Sequence, residues 1–145
     1  MKKCMMFLFV YCLGSLFLSF TVPTEDTTAA KGIDFFKGTF QEALALAEKE
    51  QKYVFVDVYA TWCGPCKQLK RTTFKDKEVG AYFNKNFINI AIDGETKEGD
   101  EILSRYTIRS YPTLLILDAK GRVQTRHSGF MKPYILINFG RRIVP

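Results

Sequence analysis

The run Trp62-Cys63-Gly64-Pro65-Cys66-Lys67 constrains this chain more than any other stretch, because of what lies on either side of it. Ahead of it, Tyr53-Val54-Phe55-Val56-Asp57-Val58-Tyr59 is β-branched and aromatic with almost no polar face, the pattern of a strand covered on both sides. Behind it a helix is expected, reaching Phe74. Two cysteines separated by two residues can close a small disulfide ring, and the unpaired N–H groups and dipole at a helix start stabilise a thiolate. Cys63, at the exposed entrance to the helix, is therefore read as a nucleophile near neutral pH, and Cys66, one turn further in, as its more buried partner.

The remaining elements follow from local signals. Thr39-Phe40-Gln41-Glu42 has the form of a capping box and starts a helix that should run to about Glu50. Asp76 is placed to cap a further helical turn through Phe83, and Phe87 to Asp93 reads as a second buried strand. Asp100 to Tyr106 is a short helical candidate, and Thr113-Leu114-Leu115-Ile116-Leu117 after Pro112 is a strand. Asp118-Ala119-Lys120-Gly121 makes a hairpin turn into Arg122 to Ser128, an edge strand paired antiparallel with its neighbour. A last helix should start near Pro133 and stop before Gly140. This order argues for an α/β sandwich, a mixed central β-sheet flanked by helices.

The chain of 145 residues suits one domain with an N-terminal appendage. Lys2 and Lys3 precede an apolar run from Cys4 to Val22, then Pro23 and small polar residues to Ala30, the layout of an export signal. Residues 1–30 are read as a signal peptide, cleaved after Ala30 or nearer Ser19 to Thr21, with an uncleaved membrane anchor as the rival, and residues 31–145 as the working domain. A lipoprotein site at Cys12 is disfavoured by the bulky Tyr11.

Removing the leader takes Cys4 and Cys12 with it, so only Cys63 and Cys66 of the four cysteines remain. One adjacent pair builds no structural disulfide framework, which leaves a catalytic dithiol as the use of cysteine in an oxidising compartment. Zinc is disfavoured too, since a tetrahedral site needs about four ligands and the mature chain offers one cysteine pair and a distant His127. The formal charge of +6 is spread thinly, with short pairs at Lys70-Arg71 and Arg141-Arg142, and argues for a solvated surface rather than a nucleic-acid site. His127, late in the edge strand, receives no catalytic role.

Asp57 falls in the middle of an otherwise apolar strand, where a carboxyl is disfavoured unless it serves a purpose. It either points outward or is buried for chemistry. A buried carboxyl with a raised proton affinity could take the proton from Cys66 as that thiol becomes a nucleophile.

Taken together, Trp62-Cys63-Gly64-Pro65-Cys66-Lys67, Asp57 six residues upstream and Tyr111-Pro112-Thr113 downstream resemble the thioredoxin family, over most of the chain from Ile33 to Phe139. The resemblance implies a thioredoxin-like fold and no cofactor beyond the Cys63–Cys66 dithiol itself. It makes Asp57 the family's buried aspartate, and Pro112 its cis-proline, which faces the dithiol, blocks metal capture and leaves the Tyr111 backbone free to pair with a peptide. Gly129 matches the glycine after the last strand, leaving room for substrate beside Trp62, a partly exposed platform. Gly64 and Pro65 match the dipeptide of reducing thioredoxins, and Tyr59 is read as core or site wall. A lysine on the neighbouring strand usually pairs with the aspartate in cytoplasmic members, and Asn89 stands at that position.

The expected activity is therefore thiol–disulfide exchange on protein disulfides by a monomeric, periplasmic reductase, resupplied with electrons by a membrane thiol-transfer donor. Its rivals are a reductant for cytochrome c maturation, a net oxidase or isomerase, and a binding module of thioredoxin fold that performs no turnover.

Overall fold

The computed structural model describes residues 31–145, so the expected leader, with Cys4, Cys12 and the Ala30 cleavage point, lies outside the described residues. Four strands form one mixed sheet: β1 (Tyr53–Tyr59), β2 (Phe87–Asp93), β3 (Thr113–Leu117) and β4 (Val123–Ser128), in the order β2-β1-β3-β4. β2 runs parallel to β1, while β3 is antiparallel to both β1 and β4. Five helices flank the sheet: α1 (Phe40–Glu50), α2 (Gly64–Arg71), α3 (Lys77–Asn86), α4 (Lys97–Arg105) and α5 (Pro133–Arg141). None of these helices is long and apolar enough to cross a membrane.

Strand alternation divides the core in two. Val54, Val56 and Val58 of β1 point to one face with Ile88, Ile90 and Ile92 of β2, where Phe40, Ala43, Leu44 and Ala47 of α1 and Ile102 of α4 cover them. Phe55 points to the other face and meets Leu69 of α2, Val79 and Phe83 of α3, and Leu136 of α5. Both faces of β1 are thus buried, as its unbroken apolar run predicts. Each buried Val or Phe contributes about 1.5–3 kcal/mol relative to exposure.

The capping box of α1 is present, with Glu42 N–H donating to Thr39 Oγ1 at 3.2 Å and Thr39 N–H to Glu42 Oε2 at 2.7 Å. Asp76 caps α3 through the N–H groups of Glu78 and Val79. Three helix boundaries differ from the sequence reading. α2 ends at Arg71 rather than Phe74, because the Thr72 hydroxyl bonds back to the Gln68 carbonyl at 2.8 Å and a short 3-10 turn, Thr73–Lys75, follows. α4 begins at Lys97, three residues early, because Thr96 Oγ1 accepts the Gly99 N–H at 3.0 Å. α5 runs through Gly140 instead of stopping before it. At Gly140 two helices come close: a Cβ there would lie 2.6 Å from Tyr82 Cε1 of α3, so the glycine permits the contact and does not end the helix.

Candidate active site

The turn from β1 into α2 carries Cys63 and Cys66 to one end of the sheet, where they form a disulfide with Cα atoms 5.3 Å apart. Cys63 occupies the N-cap of α2, in extended backbone, and its Sγ accepts the Cys66 N–H at 3.2 Å. Gly64 and Pro65 are the first two helical residues. Proline carries no N–H, so it fits the first turn without leaving a donor unpaired. The sequence reading placed Cys63 at an exposed entrance, but in the disulfide form it is only 3% exposed and Cys66 1%. Cys63 packs against Ala60 and Cys66, with Tyr59 and Tyr111 beside them.

Asp57 lies on the same sheet face as Phe55, opposite Ala91 of β2 and Leu114 of β3, and is completely buried. Neither carboxylate oxygen has a hydrogen-bond partner among the described residues. Burial without compensation disfavours the charge and pushes its pKa up to about 7, while Lys70 on α2 pulls in the opposite direction. Asn89 stands opposite Phe55, and its amide donates to the Asp34 carbonyl and to Asn84 Oδ1. That amide is committed to Asp34 and to α3, and the cation that acts on Asp57 is Lys70 of α2.

The loop before β3 closes the other side. The Tyr111–Pro112 peptide bond is cis. Thr113 Oγ1 donates to the Ser110 carbonyl at 2.8 Å, and Gly129 N–H donates to the Pro112 carbonyl at 2.8 Å, tying the loop to the end of β4. Among the described residues the Tyr111 N–H and C=O have no backbone partner. Gly129 has φ +102°, a region that favours glycine, and the space where its Cβ would stand is open.

Trp62 is 66% exposed. Its ring meets that of Tyr111 edge to face, centroids 5.9 Å apart, and its Nε1–H donates to Glu95 Oε1 at 2.7 Å. The structure thus gathers Asp57, Trp62, Cys63, Gly64, Pro65, Cys66, Tyr111, Pro112 and Gly129 around one end of the sheet. Two neighbours escaped the sequence reading. Glu95 follows β2 and carries no pattern that links it to Trp62. Lys70 did leave a signal, since it stands four residues after Cys66 and a helix puts both on one side. Among the described residues no group of three or more His, Cys, Asp or Glu side chains could hold a metal ion.

Residues 40–142 match the model of the thioredoxin-like domain. The chain belongs to the thioredoxin-like family of thiol–disulfide oxidoreductases. Its relatives include the thiol:disulfide interchange protein DsbD of Vibrio vulnificus, 33% identical over 107 residues, which are 71% of this chain and 18% of that protein. The DsbD of Colwellia psychrerythraea is 28% identical over 142 residues, 91% of this chain and 23% of that protein. The chain therefore spans less than a quarter of the length of these thioredoxin-like relatives. Among solved structures, a candidate disulphide-isomerase from Bacteroides thetaiotaomicron is 43% identical with a TM-score of 0.69, covering 77% of this chain and 93% of that one. The C-terminal domain of Neisseria meningitidis DsbD in its oxidised form is 26% identical with a TM-score of 0.63, covering 75% and 98%.

Proposed function

We propose that this thioredoxin-like protein works outside the cytoplasm as a reductant of protein disulfides, with residues 31–145 as the working domain. The observation that supports this most is the cysteine pair at the start of α2 together with a buried carboxyl that has no hydrogen-bond partner among the described residues and whose pKa lies near 7. In the reduced protein the Cys63 thiolate attacks one sulfur of a substrate disulfide, forming a mixed disulfide and releasing the other sulfur as a thiolate, which takes a proton from water. Cys66 then gives its proton to Asp57 and attacks Cys63 Sγ, which breaks the mixed bond, frees the second substrate thiol and leaves Cys63 and Cys66 bridged. Two electrons pass from the dithiol to the substrate. A carboxyl that titrates near neutrality can accept a proton and return it within one cycle.

The Tyr111 N–H and C=O, without a backbone partner among the described residues, offer a peptide one donor and one acceptor beside the sulfurs, with Trp62 and the open space at Gly129 flanking them. Export rests on Lys2-Lys3 and the apolar run to Val22, and the reducing direction on the Gly64-Pro65 dipeptide. The likeness to DsbD, named for thiol:disulfide interchange, supports a membrane thiol-transfer protein as electron donor. The 43% identity to a candidate disulphide-isomerase favours isomerisation as the second reading.

The test is turnover of a disulfide-bonded protein with single-cysteine variants. Cys63→Ser should abolish reduction, whereas Cys66→Ser should accumulate a mixed disulfide that reducing agent releases. Trapping through Cys66 instead would reverse the roles, and reduction surviving in Cys63→Ser would remove the mechanism. Rearrangement of mispaired disulfides with no net reduction would establish the isomerase.

A further inference from the structure

Lys70 projects from α2 toward the sheet on the side that also carries Cys66. It is half-buried, and its Nζ lies 3.1 Å from the centroid of the Tyr59 ring. Tyr59 shares its sheet face with Asp57, two residues before it on β1, and pairs in register with Asp93 of β2. Four ionisable groups from three elements thus share this side of the sheet: Asp57 and Tyr59 of β1, Asp93 of β2 and Lys70 of α2. Both carboxylates act on Lys70, raising its proton affinity against the burial that lowers it.

This arrangement fits what an ammonium needs when it leaves water. The face of an aromatic ring attracts a cation, the more strongly as the contact leaves water. The ring also fixes where the charge sits. Asp57 gains nothing comparable from its other neighbours: Ala91 and Leu114 stand opposite it, the Asn89 amide is directed to Asp34 and Asn84, and the bridged cysteines do not titrate. With no hydrogen bond to its oxygens among the described residues, Asp57 is left to the field of nearby charges, and Lys70 is the cation that acts on it.

We propose that Lys70, held over Tyr59, is the positioning residue for Asp57, the cation that decides at what proton activity the buried carboxyl can take a proton from Cys66. The proposal rests on the reading of Asp57 as proton acceptor and adds the group that tunes it. A cation close to a carboxyl favours its ionised form, so Lys70 keeps Asp57 able to accept a proton at neutral pH. Without the ammonium, Asp57 holds its own proton to higher pH and resolution slows near neutrality. Asp93 draws on the same ammonium, which limits how far Lys70 can shift Asp57.

The test follows the Asp57 side-chain carbon by NMR across pH in the oxidised full chain, for wild type, Lys70→Met and Lys70→Arg. Methionine keeps an unbranched stem against Tyr59 and removes the charge, whereas arginine keeps the charge. The Asp57 midpoint should rise by about one pH unit in Lys70→Met, the low end of what a neighbouring cation does, and stay near wild type in Lys70→Arg. An unmoved midpoint in Lys70→Met, or the same rise in Lys70→Arg, overturns the assignment. A second readout is the pH profile of mixed-disulfide resolution, measured by rapid mixing of the reduced protein with a small aromatic disulfide. It should move upward with the NMR midpoint in Lys70→Met. If the midpoint moves and the profile does not, Asp57 is not the acceptor, and the role of Lys70 in resolution falls with the reading beneath it.

Discussion

Asp57 shows how one residue couples stability to chemistry. In an unfolded chain its carboxyl ionises near the ordinary 3.8, whereas in the folded protein it keeps its proton until about pH 7. Below about pH 4 both states are protonated and this residue makes no pH-dependent contribution. Between pH 4 and 7 only the unfolded state has released the proton, so folding stability falls as pH rises, and above 7 it levels off. The size of that fall from Asp57 alone is on the order of 4 kcal/mol. Urea unfolding of the oxidised protein at pH 5 and pH 8 should show it, and Asp57→Asn should flatten the slope and be the more stable protein at pH 8, since an uncharged amide is less costly to bury than a carboxylate. Equal slopes in wild type and variant would mean that Asp57 is solvated in solution. The placement of Asp57 was legible because a carboxyl in an apolar strand stands out. The lack of a hydrogen-bond partner among the described residues was not, since that depends on side chains from α2, β2 and β3.

At the scale of elements, the strands were easier to read than the helix ends. β1, β2 and β3 are buried on both faces, so their sequences are nearly continuous apolar runs that permit little else. Helix ends are decided by single hydrogen bonds and by contacts distant in sequence. Thr96 starts α4 through one hydroxyl acceptor, and Thr72 ends α2 through one hydroxyl donor. Gly140 is the clearer case, because sequence takes a glycine near a helix end as a stop signal, whereas here it is a close approach between α5 and α3. Adding a methyl group at this position pushes against Tyr82, whose hydroxyl is held by the Val144 carbonyl at 2.5 Å. Gly140→Ala is therefore expected to destabilise the protein by about 1–3 kcal/mol despite the better helix propensity of alanine. A urea midpoint equal to or above that of wild type would show that the two helices separate at little cost.

For the whole molecule, the open question is direction, since the same dithiol serves a reductase kept reduced by a donor or an oxidase kept oxidised by its surroundings. The reductase reading predicts a soluble protein outside the cytoplasm with free thiols at Cys63 and Cys66, detected by alkylation trapping after cell fractionation. A pool largely in the disulfide form would point to an oxidase, and a membrane-bound product of full length to the anchor. The amino-acid sequence by itself determined the class of this protein: an apolar strand feeding a Cys-Gly-Pro-Cys helix start and a proline just before the buried strand β3 are local patterns, and local patterns are written in consecutive residues. Tertiary structure alone decided the electrostatic setting of the site. Lys70 reaches the Tyr59 ring, on the face that carries Asp57, only because α2 lies back across the sheet, and Trp62 finds Glu95 only because the end of β2 lies beside the end of β1. Interactions between charges and rings act through space, and residues far apart in sequence become neighbours only when packing fixes the helix on the sheet.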